Sequence, residues 1–302
     1  MNLFFYLIFR LFISLFKLLP FRLLYLISDV FYYLAFYVLR YRRKIVSGNL
    51  TKAFPDKAST EIQRITKQYY RYLADIMVES LKGFTMSPKS IVKRYKVLNP
   101  EILEQYYIRK QSVIGVSGHY GNWEWGSISG AFQLKHLPVA LYKPLTNPYI
   151  DRFLKRNRAK YGTQLASIKE TFETFETNKH STCIYLMIAD QSPKNLEKAY
   201  WVDFFGLDTP FLHGPEKYAR IYRLPVVYID IRPVKRGFYE IELIPITEAP
   251  NDMKDGELTE RWVRMLEERI TKNPQFWIWS HRRWKRTRQQ WIKLKKTKQI
   301  VN

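Results

Sequence analysis

The succession of apolar and polar positions divides this chain into a dense apolar start and a long region where helical and strand periods take turns. Residues 1–41 are rich in Leu, Phe, Tyr and Ile, interrupted by Arg10, Lys17, Arg22, Asp29 and Arg40. No uncharged run there reaches the ~18 to 20 residues of a plain spanning helix. The pattern predicts two helices broken near Pro20, lying in a membrane interface with basic side chains reaching toward headgroups. A tilted span over 23–39 that carries Asp29 is the alternative. A basic leader and a small-residue cleavage site are both missing, so the segment does not read as a secretory signal. Tyr41-Arg42-Arg43-Lys44 then forms a basic stop suited to a cytoplasmic membrane face. We expect residues 1–45 to be a membrane-associating helical segment and 46–302 to be one domain.

After an amphipathic stretch ending at Phe54-Pro55, a long helix is expected over 59–82, capped by Ser59, with Ile62, Ile65, Tyr69, Tyr72, Leu73, Ile76 and Met77 facing inward. Alternation follows: helix near 100–110, strand 112–117, helix 122–134, strand 137–142, helix 148–161, strand 163–168, helix 169–178, strand 181–189 and helix 214–223. This rhythm predicts an α/β fold, a sheet with helices on both faces. Segments 226–231 and 239–244 flank Lys235-Arg236-Gly237 and read as an antiparallel hairpin, which makes the central sheet mixed. A final helix over 257–272 stops before Pro274.

Composition narrows the partners. A formal net charge of +23 on 302 residues calls for something anionic: nucleic acid, an acidic protein, a phosphorylated substrate or an anionic lipid surface. The single Cys183 excludes a disulfide framework within the chain and suggests a reducing compartment. Five scattered histidines show no metal-ligand spacing, and no cofactor is expected.

The sharpest chemistry lies in Gly118-His119-Tyr120-Gly121-Asn122-Trp123-Glu124. It joins the buried run 112–117 to the helix at 122–134. On one helix, positions five apart are rotated by roughly 140°, so His119 and Glu124 meet only if His119 sits on the preceding turn. Gly118 and Gly121 permit such a turn, and Glu124 then falls in the first helical turn, where the helix dipole favours a carboxylate. An imidazole held through one nitrogen by an acid offers the other as a base near neutral pH, and such a base can deprotonate an alcohol. A hydrogen-bonded loop histidine beside a solvated glutamate is the plain alternative.

Ala189-Asp190-Gln191 ends another apolar strand, at an edge where sites in open α/β sheets gather, though a capped turn explains it too. Asn147-Pro148 opens a helix closing on Lys155-Arg156-Asn157-Arg158, where either Arg156 or Arg158 could reach a phosphate or a developing oxyanion. Residues 201–210 form an aromatic loop that lines a cleft or packs as core. The run Trp277-Ile278-Trp279-Ser280-His281-Arg282-Arg283-Trp284 alternates tryptophans with cations, as an anionic lipid surface would select, and residues 293–298 read as a solvated basic tail. A basic aromatic stripe could also stack on single-stranded nucleic acid. No G-x-S-x-G elbow, Walker loop, dinucleotide glycine turn or H-E-x-x-H helix occurs.

Taken together the sequence resembles the late acyltransferases of lipid A biosynthesis, the lauroyl and myristoyl transferase type that also includes phosphatidylinositol mannoside acyltransferases. The blocks that carry the likeness are the apolar start, His119 with Glu124, Asn147-Pro148 through Arg158, Asp190-Gln191 and Phe204-Phe205-Gly206 with Thr209-Pro210. They continue through Gly214-Pro215 and Ala219-Arg220 to Trp279 and His281-Arg282-Arg283-Trp284-Lys285. His213 and Gln275-Phe276 depart from the usual pattern. The resemblance implies a glycerolipid-acyltransferase-like fold, with 46–302 as the acyltransferase domain, at the cytoplasmic face of a bacterial inner membrane, peripheral or single-pass. It implies an acyl thioester donor on acyl carrier protein or coenzyme A, an anionic glycolipid acceptor and no nucleic acid. His119 and Glu124 would be catalytic, Arg158 or Arg156 would support an oxyanion or phosphate, and Asn122, Asp190, Gln191, His281, Arg282 and Arg283 would bind substrate. A glycerol phosphate, glycolipid or aminolipid acceptor, or a non-enzymatic basic membrane- or nucleic-acid-binding protein, are the competing readings.

Overall fold

The computed structural model describes residues 1–197 and 199–292; the basic tail expected over 293–298 lies outside the described residues. Eleven α-helices and nine strands are present among them. In chain order these are α1 (Asn2–Leu18), α2 (Phe21–Tyr33, running on through a π turn Leu34–Val38), α3 (Arg43–Ala53), α4 (Ser59–Gly83), α5 (Pro88–Arg94), β1 (Tyr95–Val97) and α6 (Glu101–Ile108). Then come β2 (Val113–Ser117), α7 (Trp123–Gln133), β3 (Leu137–Tyr142), α8 (Pro148–Lys160), β4 (Gln164–Ser167), α9 (Thr171–Thr177) and β5 (Cys183–Ile188). The chain continues with β6 (Ala199–Phe204), β7 (Leu207–Leu212), α10 (Gly214–Tyr222), β8 (Val226–Lys235), β9 (Phe238–Thr247) and α11 (Glu257–Lys272).

Seven strands form one sheet in the order β1-β9-β8-β2-β5-β3-β4. Every neighbouring pair is parallel except the β8–β9 hairpin, so the sheet is mixed, as the pattern at 226–244 predicts. All five residues of β2 are buried, the mark of a central parallel strand covered on both faces. Strand side chains alternate between those faces. Val113, Ile184 and Val227 join the cluster under α5, α6 and α7, whereas Ile114, Val116, Tyr185 and Tyr228 join the one under α4 and α11. The segment at 201–210 is a second, two-stranded antiparallel sheet whose Phe204 is fully buried against Trp277. The alternative of core packing holds there.

The apolar start does form two helices that break at Leu19 and Pro20. Phe21–Val38 is, among the described residues, the one stretch long and apolar enough to cross a membrane. The helices are also tied to the rest of the chain. Lys82 Nζ donates to the carbonyls of Phe16, Lys17 and Leu19, closing the C-terminus of α1, and Ser28 donates to Asp75. Arg236, at the β8–β9 turn, binds both Asp29 and Asp75. Helix α4 begins on Ser59 itself, without a side-chain cap, and Met77 faces outward at 54% exposure, while Ile62, Ile65, Tyr69, Tyr72 and Ile76 point in as expected.

Glu79 of α4 is fully buried at the meeting point of four elements. Its carboxylate accepts from Tyr25 of α2 (2.8 Å), Tyr239 of β9 (2.7 Å) and the Asn122 amide ahead of α7 (2.7 Å), and its carbonyl accepts from Trp125 Nε1. Burial drives its pKa up to about 7, against the restraining hydrogen bonds from Tyr239 and Tyr25. A carboxyl raised in this way keeps its proton in the folded state after the unfolded chain has released it. Its stabilisation is therefore complete below the ordinary glutamate range and is lost as pH rises toward 7. Glu79→Gln should remove up to about 3 kcal/mol of that pH dependence and flatten the melting temperature between about pH 5 and 7, measured by thermal unfolding across that range.

Candidate functional site

Parallel pairing of β2 with β5 sets Ser117 opposite Ile188, so the two chain segments leave the sheet side by side. His119 and Asp190 each lie two residues beyond these partners and meet there. Asp190 Oδ1 stands 2.5 Å from His119 Nδ1, and Oδ2 accepts from the His119 backbone N–H (2.8 Å) and from Trp277 Nε1 (2.7 Å). Gly118 makes this approach possible: a Cβ there would lie 2.7 Å from Leu266 and 3.1 Å from Asp190 Oδ2. Gly121 turns the chain into α7 at φ +57°, a left-handed conformation beside Ile231 that a Cβ would obstruct.

The electrostatics of the pair are one-sided. Burial opposes ionisation of Asp190, yet the charge and hydrogen bonds of His119, with Trp277, hold its pKa down to about 2. An ionised Asp190 requires a proton on Nδ1, so in the neutral ring the lone pair lies on Nε2. The His119 side chain is 19% exposed, enough to be reached from outside, whereas that of Asp190 is fully covered. Gln191 Nε2 lies 3.3 Å from His119 Nε2, and the ring sits edge-on to Trp123 with centroids 5.1 Å apart. This geometry can take a proton from a hydroxyl placed where Gln191 now donates.

Several placements correct the sequence reading. Glu124 does fall in the first turn of α7, but it does not hold the imidazole: its Oε2 pairs with Arg158 Nη2 at 2.8 Å, and Asp190 is the ring's acid. Helix α8 brings Arg158 to Glu124 from the flank, while strand register brings Asp190 to His119. Arg158 is 3% exposed, packs over the Phe84 ring and keeps one guanidinium nitrogen, Nη1, without a hydrogen-bond partner among the described residues. Arg156 of the same helix is exposed and points into a different groove, beside α1. Asn122 is not at the surface: it is fully buried, caps α7 by accepting from Trp125 N–H (3.0 Å) and donates to Glu79.

The tryptophan run is core rather than a lipid-facing stripe. Trp277 and Trp279 are at most 1% exposed, with their indole N–H groups donating to Asp190 and to the Pro274 carbonyl. Arg283 is fully buried over the Phe211 ring, donates to the Pro210 carbonyl, and is pushed down to about 9 by burial, so it cannot grip a headgroup at the surface. Arg282 is exposed. His281 is half-buried near His119, accepts from the Ser192 N–H at 3.1 Å, and is held toward its neutral form by burial and by Arg283.

Sequence reasoning identified both strand ends but missed their pairing; the available signal was that His119 and Asp190 each follow a buried apolar strand by two residues. It also missed an apolar cavity of about 100 Å³ between α7 and the sheet. Trp123, the ring against His119, lines it, with Gly126, Ser127, Gly130, Ala140 and Leu186. Three small residues on one face of α7, at 126, 127 and 130, were the overlooked sign.

Among known proteins, the family described as bacterial lipid A biosynthesis acyltransferase matches residues 2–286. The chain is 23% identical over 272 residues to the lipid A biosynthesis lauroyltransferase of Escherichia coli strain K12, covering 88% of this chain and 87% of that one. It is also 23% identical over 249 residues to a lipid A biosynthesis acyltransferase of Haemophilus influenzae, covering 81% and 78%. With the match running almost end to end through the His119 and Asp190 strand ends, the chain belongs to the bacterial lipid A biosynthesis acyltransferase family and is an O-acyltransferase.

Proposed function

We propose that this protein, working at a membrane surface, moves a fatty acyl chain from an acyl thioester, carried by acyl carrier protein or coenzyme A, to a hydroxyl of a lipid A precursor. The observation that carries this reading is the His119–Asp190 pair beside a cavity lined by apolar and small side chains. Nε2 of His119 removes the acceptor's hydroxyl proton as that oxygen bonds to the thioester carbonyl carbon, and the carbonyl electron pair moves onto oxygen. When the tetrahedral centre collapses, the C–S bond breaks and the leaving thiolate takes the proton back from His119. Asp190 holds the reactive tautomer and faces the imidazolium as it forms. Arg158, secured by Glu124, and the positive end of the α7 dipole supply positive potential for the oxyanion. Arg282 is the cation of its pair still free to meet an acceptor phosphate.

The cavity under α7 receives the acyl chain. An excess positive charge of +23 steers an acidic carrier toward the protein. Exposed apolar residues along α1 and α2, among them Leu7, Leu11, Leu15, Leu26 and Val30, favour placement against lipid.

His119→Ala should still fold but lose about 10²- to 10⁴-fold in turnover, with a lowered melting temperature because the buried Asp190 loses its ring partner. Asp190→Asn should lose at least about 10²-fold, because the amide N–H₂ facing Nδ1 moves the ring proton to Nε2 and removes the base. Purified protein assayed with acyl carrier thioester and lipid A precursor decides both, and near-normal transfer by either variant sinks the mechanism. For the cavity, a Cβ at Gly130 meets only Leu134, at 3.6 Å, so Gly130→Leu should fold and occupy the space. Its products should shift to shorter chains by mass spectrometry, and an unchanged chain profile would remove the cavity from the proposal.

A further inference from the structure

Helices α1 and α8 run side by side in the same direction: Asn147 at the head of α8 donates to the carbonyl of Asn2, Tyr6 stacks on Tyr149, and Phe9 meets Phe153. Toward their C-terminal ends they enclose an open groove of about 440 Å³. Helix α1 presents Arg10, Ser14 and Lys17 to it, spaced by four and three residues, and α8 presents Arg156, Asn157 and Lys160, spaced by one and three. Four cations thus face one groove. Among the described residues no carboxylate lines it, and none of the four makes an ion pair. The residues outside the description contain no Asp or Glu to neutralise it. Nor do the helix ends require all this charge, since Lys82 already satisfies the last carbonyls of α1.

Four like charges around one space repel each other, and an anion relieves that repulsion. The neighbouring face of α1 says what kind. Leu7, Leu11, Leu15 and Leu18 are all at least half exposed and form a stripe centred about 105° around the helix from Arg10 and Lys17, its near edge at Leu7 about 60° away and its far edge at Leu15 about 160° away. An apolar stripe beside a cationic groove suits a molecule whose phosphate and hydrocarbon parts adjoin. A folded acidic protein would meet the cations but leave the leucines in water.

We propose that the groove between α1 and α8 binds the phosphate of an anionic phospholipid in the membrane surface, with the leucine stripe of α1 seated among the acyl chains. This rests on the membrane placement proposed above and not on the His119 chemistry.

The test is co-sedimentation of the full-length protein with vesicles of phosphatidylcholine alone or mixed with phosphatidylglycerol, comparing wild type with Lys17→Gln/Lys160→Gln. Wild type should prefer the anionic vesicles, and the double variant should lose about 25-fold of that binding, near fivefold per cation, while binding neutral vesicles as before. Arg10→Gln/Arg156→Gln provides a second variant, and melting temperatures verify folding. Equal binding of wild type to both vesicle types overturns the proposal. So does an equal loss in Lys93→Gln/Lys179→Gln, whose exposed lysines lie outside the groove, because net charge and not a site would then be at work. Stabilisation by inorganic phosphate that the double variant loses, without any change in vesicle binding, would reassign the groove to a soluble phosphate. A raised KM for the acyl carrier thioester or for the glycolipid acceptor in detergent, with vesicle binding intact, would reassign it to that substrate. Wild-type transfer activity in the same detergent assay keeps failure here separate from failure of the acyltransferase mechanism.

Discussion

A carboxylate without access to water, Asp190, accepts three hydrogen bonds from the strand end and the tryptophan run, and the orientation of His119 follows from them. Without those donors an ionised group at that depth would be untenable, since a buried charge stripped of partners costs several kcal/mol. The same contacts that keep Asp190 charged lock the proton on Nδ1 and leave Nε2 to face the opening. The chemistry of the site is thus inseparable from the packing of the sheet's C-terminal edge. Trp277, a core residue by its burial, also belongs to that arrangement because its indole N–H completes the set of donors.

Glu79 plays the corresponding structural part on the far side of α7. It gathers Tyr25, Tyr239 and Asn122, and through the Asn122 cap it fixes the start of the helix that carries Glu124 and roofs the apolar cavity. The first turn of α7 is consequently held from two directions, by Glu79 beneath and by Arg158 at the flank. The apolar N-terminal helices share in this, since Tyr25 comes from α2. The helices proposed to lie against lipid and those that frame the candidate site are joined by direct hydrogen bonds.

Local signals carried much of the fold into view. Alternating helix and strand patterns from residue 112 onward, the hairpin at Lys235-Arg236-Gly237 and the helix expected over 148–161, opened by Asn147-Pro148 and found as Pro148–Lys160, all stand, the expected elements outside the hairpin to within a residue or two of their ends. Those signals are short-range: β-branched runs, side-chain caps and turn glycines act within a few residues. The elements that escaped notice were brief, α5 and β1, or aromatic enough to look like a loop, β6 and β7. Their stability comes from distant partners, as when Phe204 packs on Trp277.

The candidate site divides along the same line. Sequence by itself determined that a histidine and an acid-bearing segment each follow a buried strand, that an acidic residue opens α7, and that an arginine pair ends α8, because each depends only on neighbours in the chain. Tertiary structure alone decided the partnerships. Strand order places β2 beside β5, so Asp190 rather than Glu124 takes the imidazole, and helix packing gives Glu124 to Arg158 while turning Arg156 toward α1. It also withdrew Arg283, Asn122 and two tryptophans from the surface their composition suggested. The physical reason is that charge and aromaticity describe what a side chain can bind, whereas burial and pairing depend on which segments, far apart in sequence, the sheet brings together.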